Sequence, residues 1–281
     1  MELRPLPVRS LQSYKAMIID FHTHIFPDKI AEKTISFLSK KGNISPNTDG
    51  TAGGLVSSMK NGGIDISVAL PVVTSPHQFD SINRFAAEVN REYDGIISFA
   101  GIHPLCDDIE GKMDFIKESG FKGVKIHPDY QGEFITHEGY IKILECARAN
   151  DLIVVTHAGV DCGFVGEAVK CPPELALKVI SRVKHPKLVL AHLGGCEMSG
   201  EVIKHLLDTD VYFDTSFVLK SIPKNDLLTI INGHGVDKIL FASDSPWSDV
   251  ASDAEIIKSL GLTQEDEEKI LYKNAKALLS I

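Results

Sequence analysis

Between residues 17 and 246, short runs rich in β-branched and other apolar residues alternate eight times with longer stretches of helical period. A strand, a crossover helix and the next parallel strand connect with one hand. Eight such units, without a linker or a break in composition, close into one barrel more readily than they split into an open sheet and a second domain. The runs are 17–24, 66–74, 96–104, 123–128, 153–159, 187–195, 211–217 and 239–246. The expected fold is α/β: a single (β/α)8 TIM-type barrel over residues 17–281, with a C-terminal helix and a small insertion after the first helix. That first helix should start near Asp28, carry apolar Ile30, Ile35 and Leu38 at roughly helical intervals, and stop at Gly42. Residues 43–63, with Pro46, Asp49 and several glycines around a short helix, read either as a lid over the barrel mouth or as a plain surface loop. Thr263, followed three residues on by Asp266, is close to a capping box and opens a terminal helix packed on the barrel side. Residues 1–16 read as an upstream extension, with Met17 as the natural start.

Composition excludes several classes. Lys and Arg number 29 against 38 Asp and Glu, a net charge of -9, which repels phosphate backbones and anionic lipid and speaks against nucleic-acid or membrane partners. Hydrophobic residues at 43% and charged residues at 24% suffice for a sizeable core. The longest apolar runs, such as Leu188 to Ala191, are strand-sized, far below the roughly 20 residues of a membrane helix. Arg4, Arg9 and Lys15 are not followed by the apolar stretch of a secretory signal. Five cysteines (Cys106, Cys146, Cys162, Cys171 and Cys196) are odd in number and show no paired spacing, so reduced thiols in a cytoplasmic setting are expected. The expected partner is a small-molecule substrate, with a homo-oligomer left open.

His22 and His24 stand two apart at the end of the first run, and strand alternation points both to one side. In a barrel that side is the interior, where Asp20 would lie one layer beneath as a supporting carboxylate. His157, His192 and Asp244 end the fifth, sixth and eighth runs, each just before a loop on the catalytic face. Any one of these histidines is explained by core packing. Four histidines and a carboxylate converging there would cost several kcal/mol if buried unpaired, and a shared divalent cation removes that cost.

The segments IDFHTHIFP, VVTHAG, LAHLGG and FASDSPW together resemble the amidohydrolase superfamily. The nearer likeness is the amidohydrolase-related branch that includes aminocarboxymuconate-semialdehyde decarboxylase-like enzymes, and it runs from Met17 to the terminal helix. The resemblance implies a metal held by His22, His24, His157 and Asp244, with His192 as catalytic acid/base or as ligand of a second ion. In some superfamily members a carboxylated lysine or a glutamate on the fourth strand bridges two metals. Here that strand reads GVKIHPDYQG: Lys125 is a bridge, a cation for a substrate carboxylate, or a lysine paired with an acidic neighbour. With no glutamate there, one ion per chain is preferred. His127 faces the same way as Lys125.

The remaining candidates are weaker. His103 in GIHP either lines the pocket or caps its strand. Asp214 and Ser216 share the inward side of the seventh strand and could bond His192 or substrate. Trp247 either walls the pocket or packs beneath the last loop. His77, His137, His185, His205 and His234 need no function. The preferred reaction is hydrolysis of an amide, lactone or related ester of a small carboxylated substrate. In it a divalent ion, Zn2+ by its imidazole and carboxylate ligands, activates water, Asp244 takes the proton and His192 assists. The alternative is metal-dependent non-oxidative decarboxylation at the same site, and a catalytically inactive metal-binding protein is third.

Overall fold

The computed structural model describes residues 17–281, so the expectation for residues 1–16 lies outside the described residues. Nine parallel strand segments form the sheet: β1 (Ile19–Thr23), β2 (Ile66–Ala69), β3 (Ile96–Ser98), β4 (Ala100–Gly101), β5 (Gly123–Ile126), β6 (Ile153–Thr156), β7 (Leu188–Leu190), β8 (Tyr212–Asp214) and β9 (Ile239–Leu240). β3 and β4 are one strand interrupted at Phe99, whose N–H still donates to the Ala69 carbonyl at 2.9 Å. The eight strands close on themselves. Phe21 N donates to Phe241 O (2.9 Å), Asp244 N to His22 O (2.9 Å) and His24 N to Ser245 O (2.6 Å), which joins the first strand to the last. The structure is therefore the expected (β/α)8 barrel, with strands shorter than the apolar runs because each run continues into a loop.

Two apolar layers hold the barrel. Ile19, Phe21, Val68, Leu70, Phe99, Val155, Val189 and Leu240 make one cluster from alternate strand positions, and the helices pack a second around the outside of the sheet. The terminal helix begins as expected, with Thr263 Oγ1 accepting from Asp266 N at 3.1 Å. It does not lie only on the barrel side, since Ala275, Leu278 and Leu279 join the strand cluster. The segment 43–63 carries a helix (Ala52–Gly62) that buries Ala52, Leu55 and Met59 and packs on the helix Val250–Lys258. It is not a lid, although Ile44 before it borders the mouth. Among the described residues no helix is long and apolar enough to cross a membrane.

The interrupted strand shows how a gap in the ladder is filled. Ser98 precedes the stretch paired with β5, and Gly101 follows the stretch paired with β2. Two amide side chains of the helix Phe79–Glu92, seven residues apart and so on one face, supply the missing partners. Asn90 accepts from Ser98 N (2.7 Å) and donates to Ser98 O (2.9 Å), while Asn83 accepts from Gly101 N (2.8 Å) and donates to Gly101 O (3.0 Å). Asn83→Ala should therefore strand a buried donor and acceptor and lower stability by about 2 to 4 kcal/mol. A denaturant titration reads this, and a change under 0.5 kcal/mol would show that the pairing is dispensable.

Candidate metal centre

At the C-terminal end of the strands lies a cavity of about 830 Å³, and His22, His24, Lys125, His127, His157, His192, Asp244 and Trp247 all line it. Its floor depends on an irregularity. Asp20 pairs with Ser67 but Thr23 with Ala69, so β1 carries one extra residue between them. Such a bulge breaks strict alternation and re-aims side chains. As a result Phe21 joins the apolar strand cluster while His22 also faces the cavity. Asp20 consequently does not lie beneath the histidines as expected: it turns to the last strand, accepting from Ser243 Oγ at 2.5 Å and Ser243 N at 2.9 Å.

Hydrogen-bond partners fix the tautomers. His22 Nδ1 lies 2.8 Å from Asp214 Oδ2, and His24 Nδ1 lies 2.8 Å from the Leu70 carbonyl. Both partners only accept, so each Nδ1 holds the proton and each Nε2 presents its lone pair. The two Nε2 atoms are 3.1 Å apart. Asp244 Oδ1 stands 3.3 Å from His22 Nε2 and 3.1 Å from His24 Nε2, and all three donor atoms lie within 4.8 Å of one another. Lys125 Nζ donates to His22 Nε2 at 3.0 Å.

His157 is set by the same logic, one step further out. His192 Nδ1 faces the Ser216 carbonyl at 3.0 Å, so its Nε2 accepts, and His157 Nδ1, 3.0 Å away, donates to it. His157 Nε2 is then left as a lone pair. Among the described residues, Asp244 Oδ1 and His157 Nε2 are buried side-chain atoms without a hydrogen-bond partner, an arrangement that costs about 1 to 3 kcal/mol per atom unless something else satisfies it. Both belong to the expected ligand set, and the donor chemistry fits a divalent ion.

Other placements differ from expectation. The ligating atoms of His157 fall within 4.8 Å of those of His127 and Asp161, not within the His22, His24 and Asp244 group, because its ring stacks on His127 with centroids 4.3 Å apart and an 8° angle. That second group is no ion cage. His127 Nδ1 accepts from Tyr130 N at 3.5 Å, so its Nε2 carries a proton toward Asp161 Oδ2 at 3.4 Å. His192 has both ring nitrogens engaged, at the Ser216 carbonyl and at His157 Nδ1, and in this arrangement it orients His157. Asp214, expected near His192 or substrate, holds the His22 ring and accepts from the His192 and Ser216 backbone N–H groups at 3.0 and 3.1 Å. His103 is buried and its Nδ1 accepts from Leu105 N at 3.1 Å; it caps its strand and is not among the residues lining the cavity. Trp247 is a cavity wall. Asp129, whose Oδ2 lies 3.8 Å from His157 Nε2, and Asp161 also line the cavity; both were missed by sequence reasoning, and the only signal was an acid in the loop just after a strand-end histidine.

Electrostatics and backbone agree with this reading. Burial, then the Lys125 charge, lowers the His22 pKa to about 4. Burial and neighbouring cationic groups push His127 and His157 well below the usual imidazole range. Burial lowers Lys125 to about 8 against the pull of Asp214 and Asp244. Burial alone would raise Asp214 and Asp244, but the facing histidines outweigh it and hold both carboxyls below their ordinary range. The site thus pairs neutral imidazoles with ionised carboxylates, the states in which these groups bind metal. His192, Phe217 and Asp244 have φ of 59°, 66° and 67°, a left-handed backbone that costs non-glycine residues free energy and clusters at functional sites.

The family described as Amidohydrolase matches residues 19–281. No curated protein matches the sequence. Among solved structures, a 5-carboxyvanillate decarboxylase of Novosphingobium aromaticivorans, complexed with manganese and a nitrobenzoic acid, superposes with a TM-score of 0.71 at 14% identity, covering 95% of this chain and 97% of its own. A 2,6-dihydroxybenzoate decarboxylase from Rhizobium gives 0.68 at 14% over 94% and 99%. A dihydroxybenzoic acid decarboxylase of Polaromonas, with manganese and the inhibitor 2-nitroresorcinol, gives 0.69 at 16% over 94% and 97%. At these identities the likeness is one of fold. The preference for hydrolysis is nonetheless overturned, because the solved structures that share this fold along nearly their whole length are mostly named as decarboxylases, which was the alternative, with a putative amidohydrolase from Staphylococcus aureus also among them.

Asp214→Asn keeps the side-chain shape but replaces the charged acceptor that fixes the His22 ring. Metal affinity should weaken by about 10- to 100-fold, the usual effect of losing such a partner. Competition against a chelator measures it, and unchanged affinity would show that His22 is held by other contacts.

Proposed function

We propose that this chain, which belongs to the amidohydrolase family, is a metal-dependent non-oxidative decarboxylase of a small aromatic carboxylic acid. The observation that carries the reading is Lys125, a buried ammonium 3.0 Å from His22 Nε2 on the same cavity floor as the imidazole and carboxylate donors. A cation there meets the substrate carboxylate, or a hydroxyl beside it, at the end of the pocket where water is scarce.

His22, His24 and Asp244, whose donor atoms lie together, would hold one divalent ion, and His157 would join them only by turning its unpartnered Nε2 toward them; the ion is Zn2+ by ligand type or Mn2+ by analogy with the decarboxylases above. When bound, the ion supplies a Lewis acid that draws electron density from the substrate. The other steps belong to side chains. Asp214 and the Leu70 carbonyl keep two imidazole lone pairs aimed inward, and His192 does the same for His157. His127 and Trp247 flank the substrate ring. The carbon that loses CO2 must gain a proton, and Asp244, with Oδ1 over the cavity and little affinity for a proton at rest, is the transient carrier from solvent. One ion is favoured over two because His192 has no free nitrogen and His127 Nε2 is protonated; an ion on His22 Nε2 would take the lone pair that Lys125 donates to here and leave that ammonium free for the substrate.

Purified protein loaded with Mn2+ or Zn2+ and offered a panel of hydroxybenzoic acids should release CO2 from at least one. Lys125→Met should lower kcat/KM by about 100-fold or more, the loss expected when a charged partner is removed from a buried carboxylate. Replacing His22 and His24 together with alanine should remove the metal and the turnover while the barrel stays folded. No CO2 from any acid with fully loaded protein, or one equivalent of tightly held metal in the double variant, overturns the reading.

A further inference from the structure

The cavity is much larger than its floor requires. A single-ring acid has about ten non-hydrogen atoms, whereas pockets of roughly 300 to 1,000 Å³ hold drug-sized molecules, and this one is about 830 Å³. Its outer wall comes largely from the first helix, Asp28–Gly42. Of its apolar positions, Ala31 and Ile35 make the buried contact. Ile30, Phe37 and Leu38, spaced at i, i+7 and i+8 and hence on one stripe, turn to the cavity instead. Ile30 is 49% exposed and Phe37 62% exposed.

The surroundings of that stripe are apolar as well. Phe85 and Phe164 line the same cavity. The nearest cation on the helix, Lys41, lies with Nζ 3.3 Å from the Phe164 ring centroid and 4.7 Å from that of Tyr130, so its charge rests on aromatic faces and ties the Phe164 loop to the helix. Tyr130 in turn packs edge-on against His127, with centroids 4.8 Å apart. A continuous aromatic and aliphatic track therefore leads from the histidine floor to the exposed stripe.

We infer that the substrate carries an apolar extension beyond its carboxylated ring, and that Ile30, Phe37 and Leu38 bind that extension. The inference rests on the proposed function in seating the carboxylate at Lys125 and adds which acids are preferred: those with an alkyl or second aromatic group remote from the carboxylate. Each methylene buried against the stripe contributes about fourfold in affinity.

Calorimetric titration of the metal-loaded full-length chain with benzoate and with 4-hexylbenzoate tests this. The hexyl compound should bind about 50-fold more tightly, which corresponds to about three buried methylenes. The ratio of the two affinities should fall below about fivefold in the Ile30→Ser, Phe37→Ser double variant, and likewise in Leu38→Ser should the double variant not fold. It should persist in Phe115→Ser, which removes an aromatic that is 51% exposed outside the cavity. Equal binding of the two acids overturns the inference, as does a ratio that survives the double variant. So does conversion of a dimer to a monomer in the double variant by light scattering, which would mean that a second copy covers the stripe. Failure of the decarboxylase reading would appear separately, as no CO2 release from any acid with the affinity ratio intact.

Discussion

The 2.8 Å contact between Asp214 Oδ2 and His22 Nδ1 governs the whole site, because it decides which nitrogen of the most buried imidazole faces the cavity. With Nδ1 protonated, His22 Nε2 is a lone pair 3.1 Å from the equally exposed lone pair of His24. Two such lone pairs repel unless a cation or a proton lies between or beside them. The same carboxylate uses its other oxygen on the His192 and Ser216 backbone and on Ser216 Oγ. It therefore couples the first strand to the loops after β7 and β8, and the Ser216 carbonyl then fixes His192, which fixes His157. One acid thus orients three imidazoles on three different strands.

That chain of contacts requires a closed barrel and a broken strand together. Closure brings Asp244 N onto the His22 carbonyl at 2.9 Å, which fixes the height of Asp244 relative to the histidines. The bulge in β1 lets Phe21 fill the apolar strand cluster while the next residue enters the polar floor; a regular strand would have to send one of them to the wrong side. The left-handed backbone at His192, Phe217 and Asp244 is the counterpart on the other strands. Each turns the chain abruptly where a strand ends, at a cost of order 1 to 3 kcal/mol per residue that the packed barrel below must offset.

The fold was legible in the sequence because eight repeats of a strand-helix period leave few topologies, and the strand-end positions of His22, His24, His157 and Asp244 follow from the same period. What failed was what strict alternation cannot encode. Asp20 was misplaced because a one-residue bulge inverts parity without a glycine or proline to announce it. The position of His192 at a strand end likewise says nothing of its two ring partners, which come from residues 157 and 216. For His103 the sequence left lining the pocket and capping the strand open, and only the Leu105 N–H donating to its Nδ1 decides for the cap. Ile30 and Leu38 fitted the helical period, but Ala31 and Ile35 fit it too, and periodicity alone does not choose between neighbouring stripes of one helix.

The balance of charge on the floor sets what the site can tolerate. Burial lowers the proton affinity of both His22 and Lys125, to about 4 and about 8, yet from such different starting values that near neutral pH the imidazole is unprotonated while most of the lysine keeps its proton. Two ionised carboxylates, Asp214 and Asp244, face that single cation. Those three charges sum to about minus one, and Asp129 and Asp161 line the same cavity beside His127 and His157, so acids outnumber bases where a divalent cation would sit. The one cation of the outer wall, Lys41, rests on the Phe164 and Tyr130 rings, so substrate size and shape can be read on that wall apart from the chemistry beneath.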